Sequence, residues 1–266
     1  MTTTTVHLAV YDTLADWEFG YATAVLRETT YHRAPRRAVE VRTVSPGAAG
    51  RPVTTIGGVR LLPDMALDAL RPADSSLLIL PGAQLWDAGE ELAPFAAAAR
   101  AFLDAGVPVA AICGGTAGLA RAGLLDDRDH TSAVAEYLAH QPGYRGHDRY
   151  RDADAVRDRG LITAGPTEPV AFAREIAAEL DLMEPHVLDA WFRLYAASDP
   201  TAFPVLMSAA ERAAADRTGR GGGDGDGDRG RDGSGDGMGG AVNGTAETPH
   251  PGAESGPGST PGDSAA

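Results

Sequence analysis

Cys113 is the only cysteine in a chain of 266 residues, and its surroundings have the composition of a reactive site. Val107 to Ile112 is a short apolar run that reads as a buried strand. Cys113 ends it, Gly114 and Gly115 follow, and small helix-compatible residues lead on to Gly123. Strand, cysteine, glycine turn and helix form the layout of a nucleophile elbow, which holds a side chain above a sheet at a helix start. Unpaired N–H groups and the helix dipole favour a thiolate there. The plain alternative is a small buried cysteine filling a strand end. Two further stretches place acids or tight turns just after apolar runs: Asp12 to Glu18, and Pro81-Gly82-Ala83.

The elements that must position these residues alternate. Val6 to Tyr11 reads as a first strand and Ala15 to Thr29 as a helix, entered through Thr13-Leu14-Ala15-Asp16. That tetrad resembles a capping box, which assigns Asp16 to the cap of Thr13. Val39 to Val44 is a second strand, Val53 to Leu62 a hairpin broken at Gly57-Gly58, and Pro63 to Leu70 a short helix. Ser75 to Leu80 is a buried strand, and Glu90 to Asp104 is amphipathic, with Leu92, Phe95, Ala99 and Phe102 on one face. After the elbow, His130 to Ser132 suggests a short strand and Val134 to His140 a short helix. Asp158-Arg159-Gly160 is a hairpin turn into Leu161 to Thr163. Thr167 reads as the N-cap of the next helix, and further helices start near Pro185 and Pro204. Alternation of this kind predicts an α/β fold with a mostly parallel sheet covered on both faces. Ligands of such sheets bind at the carboxyl ends of the strands, where all three suspect stretches fall.

Composition narrows the function classes. Net charge is −14, which argues against nucleic acid and anionic membrane surfaces as partners. All 23 basic residues are arginine, so no lysine can form a Schiff base or serve a P-loop. One cysteine allows no internal disulfide, and the N-terminus lacks the basic and apolar regions of a signal peptide; a cytoplasmic protein is expected. No apolar run reaches the roughly 18 residues of a membrane span. One cysteine and scattered histidines make no zinc site, and no metal or other cofactor is expected. From Asp216 the chain is dominated by Gly, Asp, Arg, Ser and Pro. The expected division is therefore a folded domain at 1–215 and a disordered tail at 216–266.

Asp16-Trp17-Glu18, Leu80-Pro81-Gly82, Ala110-Ala111-Ile112-Cys113 with Ala122-Gly123-Leu124-Leu125, and Leu161-Ile162-Thr163-Ala164-Gly165-Pro166 together resemble the ThiJ/PfpI superfamily. These are relatives of the class I glutamine amidotransferases, and the resemblance spans about Val6 to Leu182. It implies a flavodoxin-like three-layer sandwich, commonly a homodimer, with a nucleophilic cysteine paired to an acid from the first strand–helix connection. Carried onto this chain, Cys113 is the nucleophile and Glu18 its carboxyl partner. A carboxyl group beside a thiolate has its pKa raised and can donate to the sulfur. The backbone N–H groups of Ala83 and Gly114 then form an oxyanion hole. The usual histidine base is missing from three places. Gly114 follows the cysteine, Ala133 stands past the next strand, and Gly165-Pro166-Thr167-Glu168 replaces a His-Pro-Glu. That counts against protease or glutaminase activity. His130 is the remaining candidate base and His147 the second; Glu184-Pro185-His186 reads as helix-start capping.

The expectation is a hydrolase or lyase of glyoxalase, deglycase, amidase or isonitrile hydratase type. It would act on a small carbonyl, amide or isonitrile substrate through a covalent cysteine adduct. The alternative, from another class, is a redox-sensing or chaperone-like protein in which Cys113 is oxidised without turnover.

Overall fold

The structure is a computed structural model that describes residues 4–34, 39–48 and 50–219. The chain runs β1 (Thr4–Ala9), α1 (Asp16–Arg27), β2 (Val39–Ser45), β3 (Val53–Thr54), β4 (Arg60–Leu61), β5 (Met65–Ala66), β6 (Leu77–Leu80), α2 (Ala93–Asp104) and β7 (Val109–Ile112). It continues with α3 (Gly114–Arg121), α4 (Ala135–Ala139), β8 (Ala155–Asp158), β9 (Leu161–Ala164), α5 (Pro169–Glu179), α6 (Pro185–Ala197) and α7 (Phe203–Gly219).

Seven strands form one sheet in the order β5-β2-β1-β6-β7-β9-β8, parallel except where β8 pairs antiparallel with β9. The four residues of each of β6, β7 and β9 are all buried. That is why these strands read as continuous apolar runs rather than alternating ones. The chain steps from β1 outward to β2, then returns to the other side of β1 with β6 and moves on to β7. With right-handed crossovers, this reversal sends α1 and α2 to opposite faces. Accordingly α1 packs on α5 and α5 on α6, while α2 packs on α3. The order reverses between β1 and β6, so the crevice at their carboxyl ends is the topological switch point. Burying one Leu or Ile side chain stabilises by about 1.5–3 kcal/mol, whereas pairs such as Arg33–Asp181 lie at the surface, where water screens them. The central strands hold the fold, and the surface ion pairs do not.

Several local expectations are corrected. Pro63 to Leu70 is an edge strand and a 3-10 turn, Leu67–Ala69, rather than a helix. Pairing of Met65 and Ala66 with β2 outweighs local helix propensity. Thr13 does not cap α1; the N-cap is Ala15, without a side-chain bond, and Thr13 itself has φ 63°. Asp16 instead accepts from the Thr55 hydroxyl at 2.6 Å and the Gly57 N–H at 2.8 Å, tying the β3–β4 hairpin to the helix start. Thr167 likewise gives way to Glu168 as N-cap. Glu184 is the N-cap residue of α6, as read, but its side chain accepts from Arg33 Nε at 2.8 Å instead of bonding the helix start. The Arg159-Gly160 turn is as read, with both residues at positive φ. The last helix continues to Gly219, past the boundary expected at residue 215; the rest of the expected tail lies outside the described residues. Among the described residues no helix is long and apolar enough to cross a membrane.

Candidate active site

Glu18, Gly82 and Cys113 come together at the switch point, each just past the carboxyl end of a neighbouring strand. Cys113 ends β7, donates its N–H to Ala164 O at 3.1 Å, and caps α3 at φ 54°, ψ −125°. A non-glycine residue at positive φ is uncommon, and the strain of roughly 1–3 kcal/mol survives only where the surroundings over-determine it. Here they do. The Cys113 carbonyl accepts from Thr116 N at 3.0 Å and from Thr116 Oγ1 at 2.6 Å, and Thr116 Oγ1 also meets Ser132 Oγ at 2.7 Å. Gly115 lets the turn close: a Cβ there would lie 2.3 Å from Leu80 O.

Glu18 lies in the first turn of α1 and is fully buried. Its Oε2 accepts from Gly82 N at 2.5 Å, while Oε1 has no oxygen or nitrogen partner. A Cβ on Gly82 would stand 2.7 Å and 2.9 Å from the two Glu18 oxygens and 2.9 Å from Cys113 Cβ. The carboxyl group, the turn and the cysteine therefore share one small volume. Gly82→Ala is expected to cost about 1–3 kcal/mol through overpacking, read by urea denaturation. An unchanged midpoint would mean that the volume is not shared.

Burial wins over the helix dipole at Glu18. It pushes the carboxyl up to about 7, against the opposing pull of the Gly82 N–H and of Cys113. Burial, and then the Glu18 carboxylate, push the Cys113 thiol up to about 12, while the Gly114 N–H draws it down. The raised Glu18 matches the sequence expectation in direction but not in cause, since burial raises it and Cys113 opposes the rise; a plain low-pKa thiol is not what burial produces. Between these values the pair holds a single proton. With that proton on sulfur, the carboxylate repels the thiolate from forming. With it on Glu18, the repulsion vanishes and the carboxyl group becomes a donor to sulfur.

The Pro81-Gly82-Ala83 turn is held from below. Tyr11 donates its hydroxyl to Pro81 O, and Trp86 Nε1 reaches both Pro81 O and the Tyr11 oxygen at 3.0 Å. Tyr11 also packs edge-on against Trp86 and Phe95. Ala83 opens the 3-10 turn Gln84–Trp86, and Gly114 is the first residue of α3. Sequence reading missed Tyr11, Trp86, Thr116 and Ser132, and no spacing signal links residues from four separate elements.

His130 is fully buried, and both ring nitrogens are engaged away from Cys113. Nδ1 meets Arg128 O and Nε2 meets Tyr144 Oη, each at 2.7 Å. A carbonyl only accepts, so Nδ1 carries the hydrogen and Nε2 accepts from the tyrosine. His130 thus braces the β7-to-β9 connection, and this arrangement leaves it no lone pair for the cysteine. His147 is exposed, with its ring tilted against that of Tyr144 at a centroid distance of 4.7 Å.

Comparison with known proteins gives the family. The model of the DJ-1/PfpI family matches residues 4–179. A Bacillus subtilis (strain 168) protein named uncharacterized protease YoaZ is 36% identical over 214 residues, covering 80% of this chain and 100% of that protein. The same organism's uncharacterized protease YdeA is 30% identical over 181 residues, 68% of this chain and 85% of its own. Among solved structures, a thiJ/pfpI family protein from Bacillus anthracis superposes with TM-score 0.73 at 36% identity, covering 79% of this chain and 98% of its own. The DJ-1 superfamily protein Atu0886 from Agrobacterium tumefaciens gives 0.66 at 34% identity, covering 74% and 99%. With a matching family model over most of its folded part and relatives of this identity along nearly their whole length, the chain belongs to the DJ-1/PfpI family.

Proposed function

We propose that the protein is a cysteine-dependent hydrolase or lyase that acts on a small carbonyl, amide or isonitrile substrate through a covalent Cys113 adduct. The observation that carries this reading is the strained Cys113 backbone, held beside a buried carboxyl group with a raised pKa. Strain and perturbed titration cluster at functional sites. In the first step the thiol proton passes to Glu18 and the sulfur attacks the electrophilic carbon, forming the C–S bond. Negative charge then develops on the substrate heteroatom, where the N–H groups of Ala83 and Gly114 would meet it. With an amide, Glu18 returns its proton to the departing amine and water resolves the thioester. With a carbonyl or isonitrile nothing leaves, and Glu18 returns its proton to the substrate oxygen or carbon of the adduct before water resolves it.

The relatives' names carry the word protease. Among the described residues the candidate histidine base, His130, is spent on Arg128 and Tyr144, so a small electrophile fits better than a peptide. A homodimer belongs to the same proposal. The exposed rings of Trp17, Tyr21 and Tyr195 border an apolar cavity of about 370 Å3 that a second copy would cover.

The test is Cys113-dependent turnover of methylglyoxal, an isonitrile and glutamine, with Cys113→Ala as control and mass spectrometry of the trapped adduct. Turnover of at least one that vanishes in Cys113→Ala is expected. Oxidation of Cys113 by peroxide with no turnover of any would favour the redox-sensing alternative instead.

A further inference from the structure

A reaction resolved by water needs a base that the water can reach; Glu18 is fully buried on the Gly82 N–H, and His130 is bonded to Arg128 and Tyr144. Asp87 and Tyr137 form a hydrogen-bonded pair that the sequence reading did not single out: Tyr137 Oη donates to Asp87 Oδ1 at 2.8 Å. Asp87 follows Trp86, whose Cβ and ring lie 3.1 Å from where a Gly114 Cβ would stand. Tyr137 comes from α4, which packs on α3, the helix that Cys113 opens. The pair therefore joins the segment that follows the Pro81-Gly82-Ala83 turn to α4, which packs on the helix that Cys113 opens. Arg121 braces the same junction, donating to Trp86 O at 2.8 Å and to Gln141 Oε1 at 2.6 Å. Both members feel the sulfur. After burial and Glu18, the Asp87 carboxylate adds to the rise of the Cys113 thiol; burial, then Asp87, and after them Cys113 push the Tyr137 hydroxyl up.

We propose that Tyr137 relays a proton from the water that resolves the Cys113 adduct to the Asp87 carboxylate. The inference rests on the covalent reading above. As water attacks the thioester carbon, its O–H bond breaks and a new O–H bond forms on Tyr137 Oη. The original phenolic hydrogen passes along the existing bond to Asp87 Oδ1. The C–S bond then breaks, sulfur leaves as thiolate, and the acid product departs. Asp87 returns its proton to the sulfur or to solvent. No phenolate forms at any point, which suits a tyrosine whose burial and carboxylate partner push its ionisation far up. Tyr137 touches the reacting water, whereas Asp87 acts through it as a positioning residue and proton sink.

p-Nitrophenyl acetate separates the steps, because the burst of p-nitrophenolate reports acylation and the steady state reports deacylation. In Tyr137→Phe and Asp87→Asn the burst rate should stay within about twofold of wild type while the steady state falls about 100-fold. Acetylated Cys113 should accumulate by mass spectrometry, and Asp87→Glu should recover part of the loss. A retained burst also shows that the variants fold. Deacylation that is unchanged in either Tyr137→Phe or Asp87→Asn overturns the relay, as does a burst that falls in step with the steady state. A wild-type protein with no burst beyond that of Cys113→Ala overturns the covalent reading and this inference with it.

Discussion

Alkylation of Cys113 by iodoacetamide is expected to rise with pH through an inflection near 7 and then level off. The reactive species is the thiolate, and the form that contains it has one proton on the pair, residing on Glu18. Below about 7 a second proton enters the pair and this form is lost. Above about 7 the pair keeps its one proton until about 12, so the reactive fraction stops changing. Glu18→Gln removes the exchangeable site. Its thiol is left with burial raising the pKa and the Gly114 N–H opposing it, so the inflection should move above about 9. Near neutral pH the rate should then fall by about tenfold for each unit of that displacement. A wild-type rate that climbs tenfold per pH unit through about pH 9 would mark an ordinary buried thiol and sink the paired reading.

The same substitution has an opposite effect on stability. Glu18 is raised from 4.5 to about 7 in the folded protein, so the folded state binds its proton more tightly than the unfolded chain. That contribution is fully present below about pH 4.5 and is lost as pH rises through about 7. The displacement corresponds to a loss of about 3 kcal/mol at mildly alkaline pH. Glutamine stays neutral, and its side-chain oxygen can keep the Gly82 N–H bond. Glu18→Gln should therefore melt close to wild type near pH 4 and higher by about 5–10 °C near pH 8. Thermal melts across this range decide it. A difference that does not change with pH would mean that the carboxyl group titrates normally. Slower chemistry with greater stability from one substitution is the pattern of a functional group that the fold must bury at a cost.

Much of the architecture was legible because its signals are local. The buried runs at Leu77–Leu80 and Leu161–Ala164, the amphipathic helix before Asp104 and the Arg159-Gly160 turn all follow from side-chain periodicity and backbone preference. Two of the readings that failed, Thr13 with Asp16 and the Pro63 to Leu70 segment, failed for one reason. Each sequence pattern had a local partner on offer, and a distant one won: the Thr55–Gly57 hairpin for Asp16, and strand β2 for Met65. His130 shows the same limit. A histidine one segment past the elbow looks available in sequence, but Arg128 and Tyr144 take both its nitrogens in space.

The stretch from Val107 to Gly123 by itself determined that a cysteine ends a buried strand at a helix start, since apolar runs and paired glycines encode that shape directly. Sequence order also sufficed to place Glu18 and Pro81-Gly82 on the same sheet edge, because parallel strands put all their carboxyl ends together. Only the tertiary structure decided the chemistry of that edge. It buried Glu18 completely, pressed its carboxyl group and Cys113 against Gly82, and bonded Asp87 to Tyr137. Burial and cross-element contact set whether a group holds its proton, and neither quantity belongs to any one segment of the chain.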